Sequence, residues 1–152
     1  MISVIQRVTH AGVVVDDAPI GRIERGLLAL VAVEKNDTEQ EADRLAERLL
    51  GYRLFADREG RMNLNVKEID GGVLLVPQFT LAANTKKGAR PSFAPAAPSE
   101  QGRQLFERLV RTIKKQYPRV ACGRFGANMQ VSLTNDGPVT FILRTARADS
   151  TR

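Results

Sequence analysis

Hydrophobic and polar residues alternate with two different periods along this chain, and the period separates strands from helices. Residues 2–15 are rich in Val and Ile with polar residues interspersed, which predicts a strand. A turn at 16–19 leads into a returning strand at 20–24. The continuous apolar run at 26–33 is typical of a central strand that is buried on both faces.

Helical spacing first appears after Thr38, which is followed three residues later by Glu41 in a capping-box pattern. The apolar positions behind this pattern recur at helical intervals and predict a helix over 38–51; they are Ala42, Leu45, Ala46, Leu49 and Leu50. A second helix is predicted over 99–117, stopping before Pro118. Its apolar face carries Leu105, Phe106, Leu109, Val110 and Ile113.

The segments between the two helices predict further strands. Residues 52–56 read as a short strand and 57–60 as a turn. Residues 73–82 are a strong strand candidate that Pro77 interrupts, so this strand lies at an edge or bends there. A polar, Pro-rich loop is expected over 83–98.

The last part of the chain predicts a strand pair, 129–133 and 139–143, around the turn formers at 135–138. The expected fold is mixed α/β: a single domain with a largely antiparallel sheet or barrel-like core, flanked by two main helices. This domain is expected to span 1–145 and to be followed by a short polar tail at 146–152 that frays.

Length and composition indicate an ordinary globular protein. The 152 residues suffice for one domain with a real core, and 43% of them are hydrophobic. Neither a signal-peptide layout nor an apolar run of about 20 residues is visible, so no membrane association is expected. The single cysteine, Cys122, favours a reducing compartment, and we expect a cytoplasmic location.

The net charge and the numbers of His and Cys limit the partners and the catalytic mechanisms that are possible. Lys and Arg outnumber Asp and Glu by 23 to 17, which favours a polyanionic partner, although a basic bias without nucleic-acid binding stays open. With one His and one Cys, no metal site and no cofactor are expected. A catalytic triad would have to use His10, which reads better as a surface or strand-end residue. Backbone groups or the substrate must therefore do much of any catalysis.

Two segments carry a resemblance to a known family. The first is Pro77-Gln78-Phe79-Thr80-Leu81 with the following 85–93; the second is 123–131 leading into 135–140. Together they resemble the Ser-Gln-x-Thr and Asn-x-Gly-Pro-x-Thr signatures of the D-aminoacyl-tRNA deacylases. Residues 5–8 and 62–64 are also typical of that family, so the likeness covers about residues 1–145. This chain departs from the pattern at Pro77, which replaces the usual Ser and removes its hydroxyl and its N–H.

The resemblance implies catalytic roles for Gln78, Phe79 and Thr80. Ester hydrolysis needs hydrogen-bond donors aimed at the developing oxyanion, and the family likeness implies that the amides of Phe79 and Thr80 face the aminoacyl group. The vicinal 2′-hydroxyl of the terminal ribose is implied to assist. Two alternatives stay open from the residues: an ordinary β segment, or Thr80 as a nucleophile that lacks a recognisable base.

Gly137 and Pro138 resemble the Gly-cisPro element that one subunit of the family inserts into the pocket of the other. Such a bond turns the flanking carbonyls to one side, and X–Pro is the common place for a cis peptide. This interpretation requires a homodimer. A plain turn between two strands explains the same residues.

The resemblance also suggests tRNA contacts. Phe125 and Met129 suit stacking on the terminal adenine, with core packing as the alternative. Lys86, Lys87 and Arg90 share one loop and suit the tRNA backbone, with a solvated loop as the alternative.

The predicted function is hydrolysis of the ester that links a D-amino acid, and also glycine, to tRNA, with L side chains excluded sterically. D-aminoacyl-tRNA, Gly-tRNA and a second copy of the chain are the expected partners. A non-catalytic RNA-binding dimer and a small adaptor dimer remain as alternatives.

Overall fold

A computed structural model describes residues 1–145, and the expected tail at 146–152 lies outside the described residues. The elements in chain order are β1 Ile2–Val15, β2 Ala18–Ile23, β3 Gly26–Ala32, α1 Glu39–Gly51, β4 Phe55–Ala56, β5 Met62–Leu64, β6 Gly72–Pro77, a 3₁₀ helix Phe79–Ala82, α2 Ser99–Gln116, β7 Val120–Cys122 and β8 Gln130–Arg144.

One curved, mixed sheet organises the fold. Its strand order is β2-β1-β3-β6-β7, and β8 lies along the other side of β1. β1 pairs antiparallel with β2, β3 and β8, whereas β3–β6 and β6–β7 are parallel. The first half of β1 pairs with β3 and its second half pairs with β2, so the sheet bends into a nearly closed, barrel-like form. The mixed α/β class with a barrel-like sheet and two main helices is confirmed.

Apolar side chains form a core on each face of this sheet. The larger core joins the sheet to both helices and includes Leu27, Leu45, Leu49, Leu75 and Leu109. The smaller one lies on the opposite face and includes Val8, Val13, Leu28, Leu74 and Val76. Adjacent β3 residues thus enter opposite cores, which confirms the prediction of a strand buried on both faces.

Both helices begin and end within a residue of their predicted bounds. Thr38 caps α1, and the carboxylate of Glu41 accepts a 2.6 Å hydrogen bond from the Thr38 amide, as the capping box predicts. Arg108 of α2 then joins the helices, because its guanidinium donates two 2.9 Å hydrogen bonds to the carboxylate of Asp43 on α1.

Replacing Asp43 by Asn is expected to cost about 1 kcal/mol of stability at neutral pH, since the pair is bidentate but partly exposed. The hydrogen bonds from Arg108 lower the pKa of Asp43 from its ordinary 3.8, despite opposing desolvation. A lowered carboxyl pKa adds stability above the unfolded value, and that stability disappears as the pH falls through the folded value. Thermal unfolding of both proteins should differ at pH 7 and converge in acid; a difference independent of pH would contradict the assignment.

The predicted pair of strands at 129–133 and 139–143 is wrong, because both belong to the single strand β8. β1 offers one continuous partner: residues 130–134 pair with its second half and residues 140–144 with its first half. Between the paired residues Asn135 and Thr140 the chain bulges without reversing, and this bulge contains the cis peptide between Gly137 and Pro138.

Other boundaries also differ from the prediction. The strand expected over 73–82 ends at Pro77, and a 3₁₀ helix follows. Only 55–56 of the strand expected at 52–56 is present, paired with the unpredicted β5. β7 was missed, because three residues carry too little pattern to identify a strand. Within 1–145, neither helix is long and apolar enough to cross a bilayer.

A candidate active site at the ends of three parallel strands

The parallel arrangement of β3, β6 and β7 brings three carboxyl ends to one edge of the sheet, where ligands bind in sheets of this kind. A cavity of about 480 Å³ opens there, beside the start of α2. It is lined by Val31, Val33, Val76, Pro77, Gln78, Phe79, Ala97, Ser99, Gly102, Phe106, Phe125, Gly126, Ala127, Asn128, Met129 and Val131.

This lining carries no ionisable acid or base. Its polar side chains are Gln78, Ser99 and Asn128, and the rest are apolar residues or glycine. The cavity wall thus provides no general base, and its apolar character strengthens any hydrogen bond made inside it. Across residues 1–145, no three His, Cys, Asp or Glu residues come together in a way that could hold a metal ion. The expectation that no metal or cofactor is needed stays a prediction.

Free backbone donors lie at the rim of the cavity. The amide of Gln78 extends the pairing with β3 through a 2.7 Å hydrogen bond to the carbonyl of Val31, and the chain then turns into the 3₁₀ helix. Because Phe79 and Thr80 begin this helix, their amides find no acceptor among residues 1–145. The side-chain amide of Gln78 donates to the hydroxyl of Thr80. Two adjacent N–H groups are therefore available to a ligand.

Phe125 and Met129 both line the cavity, as their predicted contact with a tRNA end requires. Phe125 also packs on Phe106, with ring centroids 6.4 Å apart, so binding and core packing are compatible roles. Gly123 leaves room for Met129, because a Cβ at that position would lie 2.7 Å from the Met129 sulfur. Sequence reasoning missed the α2 residues Ser99 and Gly102, which only the tertiary structure brings to the site.

Gly137 and Pro138 are exposed and do not line the cavity of their own chain. Their peptide bond is cis, and Gly137 has a φ of 140°, which L side chains rarely adopt. The side chain of Asn135 braces the bulge: it accepts from the Val139 amide at 2.8 Å and donates to the Thr140 hydroxyl at 2.8 Å.

Arg7 is a residue that the site predictions missed. Its guanidinium donates 3.0 Å hydrogen bonds to the carbonyls of Asp136 and Leu54, which ties the bulge to the body of the protein. An arginine inside the Val- and Ile-rich run 2–15 is the signal that could have found it, since a partly buried guanidinium needs fixed partners.

The three cations that are predicted to contact the tRNA backbone lie on one exposed loop. Asn84 and Ser92 exchange backbone hydrogen bonds of 2.7 and 3.1 Å, and the residues between them form the exposed loop that carries Lys86, Lys87 and Arg90. None of these cations forms an ion pair with a residue in 1–145. The site predictions thus fall into three places: the cavity with its rim, the bulge of β8, and this loop.

His10 is the residue to replace when testing for side-chain base catalysis. It is exposed on β1, between the hydroxyls of Thr9 and Thr134 at 3.2 and 3.3 Å, and it lies outside the cavity. His10→Gln is expected to leave kcat/KM for ester hydrolysis within about twofold of wild type across about pH 5 to 8, the range in which a histidine base would titrate.

Exhaustive chelation in the same assay is expected to leave the rates unchanged. Loss of activity in either case would overturn the backbone-based chemistry.

Comparison with known proteins agrees with this geometry. Residues 4–144 match the family model described as D-Tyr-tRNA(Tyr) deacylase. Proteins named D-aminoacyl-tRNA deacylase from Methylococcus capsulatus and Chromohalobacter salexigens are 61% and 57% identical; each alignment covers 95% of this chain, and 94% and 100% of the respective relative.

Two solved structures share the fold of this chain. The c-Myc DNA Unwinding Element Binding Protein superposes with a TM-score of 0.92 at 35% identity, over 97% of this chain and 100% of that one. A probable eukaryotic D-amino acid tRNA deacylase shares the fold with a TM-score of 0.82 at 18% identity, over 93% of this chain and 97% of its own. The match of residues 4–144 to the family model and the identity to the named relatives show that the chain belongs to the D-Tyr-tRNA(Tyr) deacylase family.

Proposed function

We propose that this protein is a hydrolase that cleaves the ester between a D-amino acid and its tRNA, in composite sites formed by two copies of the chain. Glycine esterified to tRNA is a second substrate, because it has no side chain to exclude. The cytoplasm, where translation consumes charged tRNA, is the proposed location. One observation carries the chemistry: two unpaired backbone amides, those of Phe79 and Thr80, lie at the rim of a cavity without ionisable groups.

The two amides supply transition-state stabilisation. When water or hydroxide adds to the ester carbonyl, its oxygen becomes an oxyanion that both N–H groups can bind. Donors held by the 3₁₀ helix need little reorganisation, and an apolar wall increases their effect. The vicinal 2′-hydroxyl of the ribose is placed to assist proton transfer to the leaving 3′-oxygen. The amino acid and free tRNA are then released.

Two features of β8 support a composite site. β8 pairs with β1 on one side, and no strand within 1–145 pairs with its other side. An unpaired edge of this length favours association with another chain. Ile142 on this strand is 66% exposed and lies in register with Val4, so the edge also carries apolar surface. In a homodimer formed here, Gly137 and Pro138 enter the cavity of the partner and form its chirality filter.

The tRNA 3′ end has a matching surface. The terminal adenosine occupies the cavity against Phe125 and Met129, and the cationic loop at 84–92 faces the phosphates. Phosphate contacts release counterions, so affinity for tRNA should fall with salt. Replacing Lys86, Lys87 and Arg90 together should weaken that salt dependence.

Deacylation of D-Tyr-tRNA, with sedimentation of the same sample, tests the proposal. Turnover together with a mass about twice the 16.7 kDa of one chain is expected. A fully active monomer would refute the composite site, and tRNA binding without turnover would refute catalysis. A non-catalytic RNA-binding dimer or a plain adaptor is not supported by the relatives, which are named deacylases.

Thr80→Ala is expected to keep activity within about tenfold of wild type, since loss of a true nucleophile costs several orders of magnitude. The variant retains its amide and loses only the hydroxyl that accepts from Gln78. Single-turnover deacylation by a folded, tRNA-binding variant measures this. A drop of three or more orders would assign the chemistry to the side chain.

A further inference from the structure

An exposed aromatic pair borders the cavity on the side of the cationic loop. Phe79 and Phe93 have ring centroids 5.2 Å apart and are 58% and 41% exposed. Phe79 lines the cavity whereas Phe93 lies outside it, so the pair leads from the site toward the surface. Exposing two large aromatic rings side by side is costly in water, which indicates that something covers them.

The segment that carries this aromatic pair contains cations and no acid. The chain has no Asp or Glu between Asp70 and Glu100, and the same interval contains Lys86, Lys87 and Arg90. Gly88, with a φ of 65°, turns the loop at its tip, and the Asn84–Ser92 pairing closes its base directly beside Phe93. Arg90 is three residues from Phe93, so their Cα atoms are within about 10 Å of each other.

Half-exposed aromatic faces and unpaired cations in one segment that contains no acid match the chemistry of single-stranded nucleic acid sites. Base faces stack on the rings, and phosphates meet the cations. A protein partner would not explain the absence of acids over this whole interval. The position of the cavity also determines which nucleotide would contact the two rings. With the terminal adenosine in the cavity, the nucleotide that precedes it is the next group to reach Phe79 and Phe93.

We propose that Phe79 and Phe93 form a stacking platform for the cytidine that precedes the terminal adenosine of tRNA. This inference rests on the proposed function. The cations of the 84–92 loop hold the adjoining phosphates. The platform recognises a base face and not a sequence, which suits a 3′ end that all tRNAs share. It extends the substrate site by one nucleotide beyond the cavity.

The test compares substrates with and without that nucleotide. D-Tyr esterified to adenosine ends inside the cavity, and D-Tyr esterified to the trinucleotide CCA reaches the platform. Phe93→Ala is expected to lower kcat/KM on the CCA ester about tenfold more than on the adenosine ester, through KM. Phe93→Trp should restore the CCA substrate, whereas Phe93→Leu, apolar but not planar, should not. Met62→Ala, which removes an exposed apolar side chain outside the cavity, is the matched control.

Binding of a 5′-labelled CCA ribotrinucleotide, followed by fluorescence anisotropy, separates this proposal from the catalytic one. Weaker binding by Phe93→Ala supports the platform even if the wild-type protein hydrolyses no ester. Equal losses on both esters, or full activity of Phe93→Leu, would overturn it. Dissociation of the Phe93→Ala dimer in sedimentation would also overturn it, because the rings would then belong to the interface.

Discussion

D-Tyr-tRNA is expected to be hydrolysed at least about a thousandfold faster than L-Tyr-tRNA, which requires only about 4 kcal/mol of discrimination. If the carbonyls beside the cis bond of Gly137 and Pro138 hold the α-amino group, and the amides of Phe79 and Thr80 hold the ester carbonyl, two directions at the substrate Cα are determined. A D side chain then points to open space, and an L side chain meets the Gly-Pro backbone. Backbone cannot move aside as a side chain can, so rejection is steric.

This model has two further consequences in the same assay. D-aminoacyl groups of different size should all be hydrolysed, and Gly-tRNA should be hydrolysed too. Equal rates on D- and L-Tyr-tRNA, or complete resistance of Gly-tRNA, would contradict exclusion. Gly137→Ala should impair D-specific hydrolysis, because its Cβ would lie 2.7 Å from Val139 Cγ2. Gly60→Ala is the control, since Gly60 also has a positive φ, 81°, but has open space around it.

Phe79→Pro is expected to lower kcat about a hundredfold to a thousandfold below Phe79→Ala, as removal of one oxyanion donor does in other hydrolases. Both variants lose the ring, and only proline also loses the N–H, so their ratio isolates the backbone donor. Proline at this position removes no hydrogen bond within 1–145, because the residue begins a 3₁₀ helix and its amide has no acceptor there.

Single-turnover rates at saturating enzyme measure this ratio, and thermal unfolding of both variants shows whether the fold is retained. Equal rates for the two folded variants would remove Phe79 from the oxyanion site. A Phe79→Pro variant that unfolds at the temperature of Phe79→Ala but hydrolyses poorly is the expected result.

Local signals in the sequence predicted the helices and the chemical limits of the site. The Thr38–Glu41 capping box and the apolar spacing behind it act within a few residues, so α1 was placed correctly. The apolar run of β3 predicted burial on both faces for the same reason. The scarcity of His and Cys predicted catalysis by backbone donors, and the two short signatures identified the family before any contact was known.

Only the tertiary structure decided which of these residues meet. The cavity depends on parallel pairing of β3, β6 and β7, and β7 is a three-residue strand that has no pattern of its own. The residue types at 135–138 by themselves predict a turn. In the structure this segment continues a strand, because β1 offers hydrogen-bond partners on both sides of it. Arg7 reaches that bulge across a sequence separation of 129 residues. Helices and caps follow from neighbours in sequence, whereas pairing, bulges and composite sites depend on which distant backbone is available to hydrogen-bond.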